Sequence, residues 1–132
     1  MNNPLQDSLV DFKKANTALH HALSTSPRNG IIVSAIVKNF EFNFELSWKA
    51  MEGLLSHHGI PTATPRQAAP EAYRKGFIDS DAVRLAMIED RNLTVHTYDE
   101  SFALEMAQRF ESDYLPLFNL FLQCFVREAS LP

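Results

Sequence analysis

The sequence predicts an all-α fold, an up-and-down bundle of four to five helices, and three observations carry that expectation. The 132 residues include only four glycines, and no Asn-Gly or Asp-Gly turn lies between alternating runs, so β-hairpins lack their usual turn chemistry. Apolar residues recur at three- and four-residue spacing along most of the chain, the period of an amphipathic helix. Ten phenylalanines supply large side chains for the core such helices would share. The length is close to the commonest single-domain size, so residues 1–132 read as one domain.

The first helix starts at Asn3-Pro4, a capping residue followed by a proline tolerated in the first turn. Leu5, Leu9, Phe12, Leu19 and Leu23 form its apolar stripe, and residues 24–30, rich in Ser, Pro and Gly, end it. The second helix is expected from about Gly30 to His58, stopped by Gly59-Ile60-Pro61. Its polar residues Ser34, Lys38, Glu41, Glu45, Lys49 and Glu52 fall on one narrow strip, and most of the remaining circumference is apolar. An ordinary surface helix needs an apolar stripe only somewhat wider than ~100°. The extra width predicts a second covered face, read as a homodimer contact. Asn39 and Asn43 sit inside this arc and need hydrogen-bond partners there.

A short third helix is expected from Thr64-Pro65 to Lys75-Gly76, kinked or delayed by Pro70. The fourth spans Ala82 to about Leu93, with Val83, Leu85, Met87 and Ile88 available to pack. The next four residues, Thr94-Val95-His96-Thr97, are rich in β-branched side chains, which weaken a helix. Thr97-x-x-Glu100 reads as a capping box, so the last helix begins near Asp99. It carries Phe102, Met106, Phe110, Tyr114, Leu117, Phe121 and Phe125, and Pro116 should bend or split it.

Composition excludes several classes. With 45% hydrophobic and 21% charged residues the chain is not disordered, and no apolar run reaches the ~18 residues of a membrane span. A single cysteine, Cys124, rules out an internal disulfide and the usual four-cysteine zinc site. The N-terminal residues lack the basic and apolar stretches of a signal peptide, so a cytoplasmic location is expected. A net charge of −4 argues against a broad nucleic-acid-coating surface but leaves room for a small basic pocket.

Most polar clusters have plain explanations. Glu45 precedes Lys49 by four residues, the spacing of a helix ion pair. His20-His21 and His57-His58 diverge by about 100° on a helix, a poor arrangement for a shared metal, and no metal site is expected. The segment from Asp90 to Glu100 is different, because it places Arg91, His96 and Tyr98 within eight positions at a helix end. A guanidinium suits a phosphate, and an imidazole moves protons near neutral pH. Five residues rotate an ideal helix by about 140°, so Arg91 and His96 share a site only if the chain unwinds after Leu93 or two chains pool residues. Spacing equally admits an Arg91 ion pair with Glu or Asp, a helix-end His96 and a Tyr98 at the core edge.

The stretch Phe40-Glu41-Phe42-Asn43-Phe44-Glu45-Leu46-Ser47-Trp48-Lys49, the triplet Pro65-Arg66-Gln67, the block from Asp90 to Glu100 and the closing Tyr114-Leu115-Pro116-Leu117-Phe118 resemble the nucleotidyltransferase substrate-binding protein family. That family belongs to the HEPN group, and Arg91, His96 and Tyr98 match the Arg-x4-His-x-Tyr motif of HepT toxins. The resemblance implies a homodimeric helical bundle whose motifs face a shared cleft. It also implies a separately encoded, MntA-like nucleotidyltransferase as partner. The implied activity is metal-independent endoribonuclease action on RNA, with tRNA a candidate target, by Arg91 and His96, with Asp90, Asn92, Thr94 and Asp99 in support. It is silenced when the partner uses ATP to place AMP on Tyr98; no cofactor of the chain's own is implied. The alternative reading is a non-catalytic partner subunit that presents a substrate to the nucleotidyltransferase.

Overall fold

The computed structural model describes residues 4–129, without the side chains of Pro4, Asp81 and Val83. The packing expected of Val83 and the cap expected at Asn3 therefore lie outside what is described. Among the described residues the chain is all helical: α1 (Pro4–Ser24), α2 (Gly30–His57), α3 (Pro65–Arg74), α4 (Asp81–Leu93), a 3-10 turn (Thr94–His96), α5 (Glu100–Arg109), a π-helical turn (Phe110–Tyr114) and α6 (Leu115–Ala129). No helix among these residues is long and apolar enough to cross a membrane.

Local chemistry sets the boundaries. Asn29 caps α2 by accepting from the Ile32 N–H, and Thr64 caps α3 by accepting from the Gln67 N–H. Beyond His58, Gly59 takes φ +81°, and the N–H groups of Gly59 and Ile60 donate to the Ser56 and Leu55 carbonyls. Gly76 (φ +78°) and Phe77 close α3 in the same way on Tyr73 and Ala72. Both ends are Schellman motifs, where glycine avoids the steric cost of the left-handed conformation.

Two expectations need correction. α3 runs through Pro70 without being delayed by it: the helix starts at Pro65 as the cap dictates, and Ala68, Ala69 and Ala72 bury one face. Proline there removes one backbone hydrogen bond, which capping at both ends and burial offset. The last helix is capped by Asp99, which accepts from the Phe102 N–H, and not by Thr97. The Thr97 hydroxyl is already spent on the Thr94 carbonyl within the 3-10 turn.

Pro116 divides the last helix as expected, by a particular device. The turn just ahead of it widens, and the Leu115 N–H reaches back five residues to the Phe110 carbonyl. Proline lacks an N–H and its ring crowds the carbonyl four residues earlier, which a wider turn relieves.

α2 is the central element, packed against α1, α3, α5 and α6. Phe40 stacks on Phe110 with ring centroids 3.8 Å apart, and Phe12 sits against Phe118 and Phe121. Asn43 is buried and donates to the Ala15 carbonyl of α1, while Asn39 donates to Ala35. The wide apolar arc of α2 is thus largely filled by helices of the same chain, so its width does not by itself call for a second copy. The Gln6 side chain donates to the Ala129 carbonyl, joining the start of α1 to the end of α6.

Candidate functional site

The segments that stand out in the sequence meet around Asp90 and Arg91. Asp90 is 5% exposed and points into the bundle. Its carboxylate accepts from the Arg109 guanidinium and from the Tyr114 hydroxyl, each at 2.5 Å. Burial, followed by the bond to Asp90, pushes the Tyr114 phenol far above its usual range. The same carboxylate raises the pKa of Arg109 through its bond to the guanidinium. Asp90 therefore fastens α4 to the π turn rather than touching His96 or Tyr98. Neither partner is legible near Asp90 in the chain, because they lie 19 and 24 residues further on.

Arg91 faces the other way, toward α2. Its guanidinium lies 3.8 Å from Glu41 and 3.8 Å from Glu45, and donates to the Thr94 hydroxyl at 3.0 Å. Thr94 in turn donates to the Arg91 carbonyl at 2.7 Å. Thr94 is buried and holds both the arginine head and the end of the helix. The ion pair that Glu45 makes is this one and not the expected pair with Lys49. Residues 41 and 45 share a face of α2, so both carboxylates reach the same cation.

The α-helix stops at Leu93, which is the unwinding a joint Arg91–His96 site requires. His96 ends the 3-10 turn and Tyr98 follows it, both exposed, with ring centroids 6.0 Å apart and planes at 73°. Tyr98 is 85% exposed, so it is no core-edge tyrosine. Asn92 is exposed beside them, and Asp99 acts as the α5 cap. Pro65-Arg66-Gln67 has local duties too: Gln67 accepts from the Ala63 N–H, and Arg66 pairs with Glu89 at 2.5 Å, tying α3 to α4. Among the described residues no three His, Cys, Asp or Glu side chains gather as metal ligands.

The arrangement offers an anchored guanidinium in the last turn of α4, then an accessible imidazole and an accessible phenol in the eight residues from Arg91 to Tyr98. This defines a helical-bundle protein with a polar, solvent-facing stretch of chain beyond the end of α4. Over residues 7–126 the chain matches the family described as nucleotidyltransferase substrate binding protein like, and it belongs to that family. A Thermus thermophilus protein of known crystal structure is 26% identical, with a TM-score of 0.75 over 91% of this chain and 99% of that one. The Haemophilus influenzae protein HI0074 is 22% identical, with a TM-score of 0.68 over 92% of this chain and 96% of that one. Its structure is described as revealing the fold of a substrate binding domain of a nucleotidyltransferase. No curated protein matches the chain significantly.

Proposed function

We propose that this chain is a HepT-like HEPN protein, an endoribonuclease whose activity a cognate minimal nucleotidyltransferase silences by adenylylating Tyr98. The observation that carries the reading is the break after α4, where the 3-10 turn and the two residues after it leave the His96 and Tyr98 rings exposed just beyond the Arg91 that Thr94 holds. In the cleavage step a ribose 2′-oxygen attacks the adjacent phosphorus and the 5′-oxygen leaves, giving a 2′,3′-cyclic phosphate and a 5′-hydroxyl. His96 takes the 2′-proton or supplies the proton to the leaving oxygen, and Arg91 balances charge on the phosphoryl oxygens. The reading assigns this step to side chains alone, without a metal or a cofactor bound to the chain.

One imidazole per chain does one of these proton transfers, so the reading includes a homodimer that brings two copies of the site together. Leu93 and Val95, exposed beside the motif, favour such a contact. In the silencing step the Tyr98 oxygen attacks the α-phosphorus of ATP held by the partner enzyme, losing its proton as pyrophosphate leaves. The attached AMP places bulk and negative charge beside Arg91 and His96, where it competes with RNA phosphate.

The test is total RNA and tRNA incubated with the purified chain in EDTA, with His96→Ala prepared identically. Cleavage by the wild type alone is expected. A second reading, the non-catalytic partner subunit, has one observation in its favour: Glu41 and Glu45 already face Arg91. It predicts no cleavage by unmodified protein and AMP addition at Tyr98 by the nucleotidyltransferase, read by intact mass.

A further inference from the structure

Arg84 takes no part in that reading. It lies in the first half of α4, is 5% exposed, and rests its guanidinium over the rings of Phe118 and Phe121 at 5.8 and 5.2 Å. Among the described residues no carboxylate pairs with it. Among those residues the acceptor it meets is the Leu117 carbonyl oxygen at 3.4 Å, beyond the usual hydrogen-bond range, and its Nε has no partner. A guanidinium has five N–H donors, more than these contacts among the described residues use. Burial pulls its pKa down to about 10, which still leaves it cationic at neutral pH.

A buried cation without a counter-ion is costly, and such groups are ordinarily paired. Beside Arg84 opens a cavity of about 210 Å³ between the 76–79 loop, α4 and α6. Arg127 and Gln123 share its wall, as does the exposed carboxylate of Asp79. Arg127 is partly balanced, with Nε 3.7 Å from Glu128 and a bond to the Cys124 sulfur at 3.3 Å. Among the described residues Arg84 is the cation of this wall that no carboxylate pairs. A cavity of ~150 Å³ admits benzene, so this space accepts an anionic group with a short organic body.

We infer that this cavity is a binding site for a small oxyanion ligand, with Arg84 as its buried counter-charge and Arg127 and Gln123 as further donors. The fork of Arg84 matches two oxygens of a phosphate or carboxylate, and the aromatic faces behind it keep the fork in place. The site is separate from the proposed catalytic turn, since Arg91, His96 and Tyr98 do not line it.

Inorganic phosphate and acetate serve as probes, titrated at constant ionic strength by calorimetry and by thermal unfolding. The wild type is expected to bind and to gain Tm with rising ligand. Arg84→Met should weaken binding by about tenfold or more, the loss of one charge-assisted contact set. Arg127→Gln, at a mostly exposed side chain, should weaken it less, and Arg28→Gln, whose partner is Glu111, should not change it. A response to phosphate alone assigns a phosphate head; an equal response to acetate assigns a carboxylate head. No response to either anion in the wild type overturns the inference. So does equal binding by wild type, Arg84→Met and Arg127→Gln. Should Arg84→Met not fold, an unchanged affinity in Arg127→Gln and Gln123→Leu together overturns it.

Discussion

Two carboxylates and a threonine surround Arg91, and their strengths are unequal. The contacts to Glu41 and Glu45 are long and partly solvated, so each contributes at most about 1 kcal/mol. A phosphate that accepts two hydrogen bonds from the same guanidinium displaces them readily. Replacing both glutamates (Glu41→Gln with Glu45→Gln) should tighten binding of a short RNA about fivefold, read by fluorescence anisotropy at fixed salt. An unchanged affinity would mean that Arg91 does not meet the RNA phosphate. Tyr98→Phe should leave cleavage intact and abolish AMP addition, seen as an intact mass that no longer shifts with ATP and the partner. The spacing of Arg91, His96 and Tyr98 and the helix break between them were legible in the sequence, but the groups that hold Arg91 were not. Glu45 and Lys49 have the spacing of a helix pair, and no rule confined to one helix can find the arginine that α4 brings alongside.

At the scale of elements, the bond of Asp90 to Tyr114 couples α4 to the π turn. Removing the hydroxyl leaves a buried carboxylate one donor short, so Tyr114→Phe should cost about 1.5–3 kcal/mol in urea unfolding. The pH dependence follows from the direction of the shift. The folded-state value for Tyr114 lies above the unfolded value near 10, so the phenol's contribution is complete below about pH 10 and is lost as pH rises from there toward the folded value. Stability of the wild type should fall across that alkaline window, and Tyr114→Phe should flatten the fall. A parallel decline in both proteins would assign the alkaline sensitivity to other groups. Pro116 announced a break in the last helix. It could not announce a π turn, because the choice between bend and bulge depends on Asp90 and Phe40 gripping Tyr114 and Phe110 from other helices. Likewise Thr97 and Asp99 both have capping chemistry, and only the 3-10 turn decides between them.

For the whole molecule, enclosure of α2 is the dominant fact. Phe40 is fully buried in a stack with Phe110, and Phe40→Ala should cost about 3–5 kcal/mol, measured by chemical denaturation. The breadth of apolar surface on α2 was legible; its meaning was not, since a central helix and a helix shared between two chains give the same pattern. A second copy at the motif is expected to leave its mark elsewhere. Val95, 69% exposed, should disrupt it when changed to Glu, shifting sedimentation from dimer to monomer without loss of helicity. Monomeric wild-type protein would remove the shared cleft from the reading. The bond between Gln6 and Ala129 has a different implication, one of connectivity. It makes the bundle nearly a closed ring, so the order in which the helices are strung is separable from how they pack. A short linker across that junction, with the chain opened between α1 and α2 at exposed Ser26, should yield a permuted protein that still folds and still offers Tyr98 to modification.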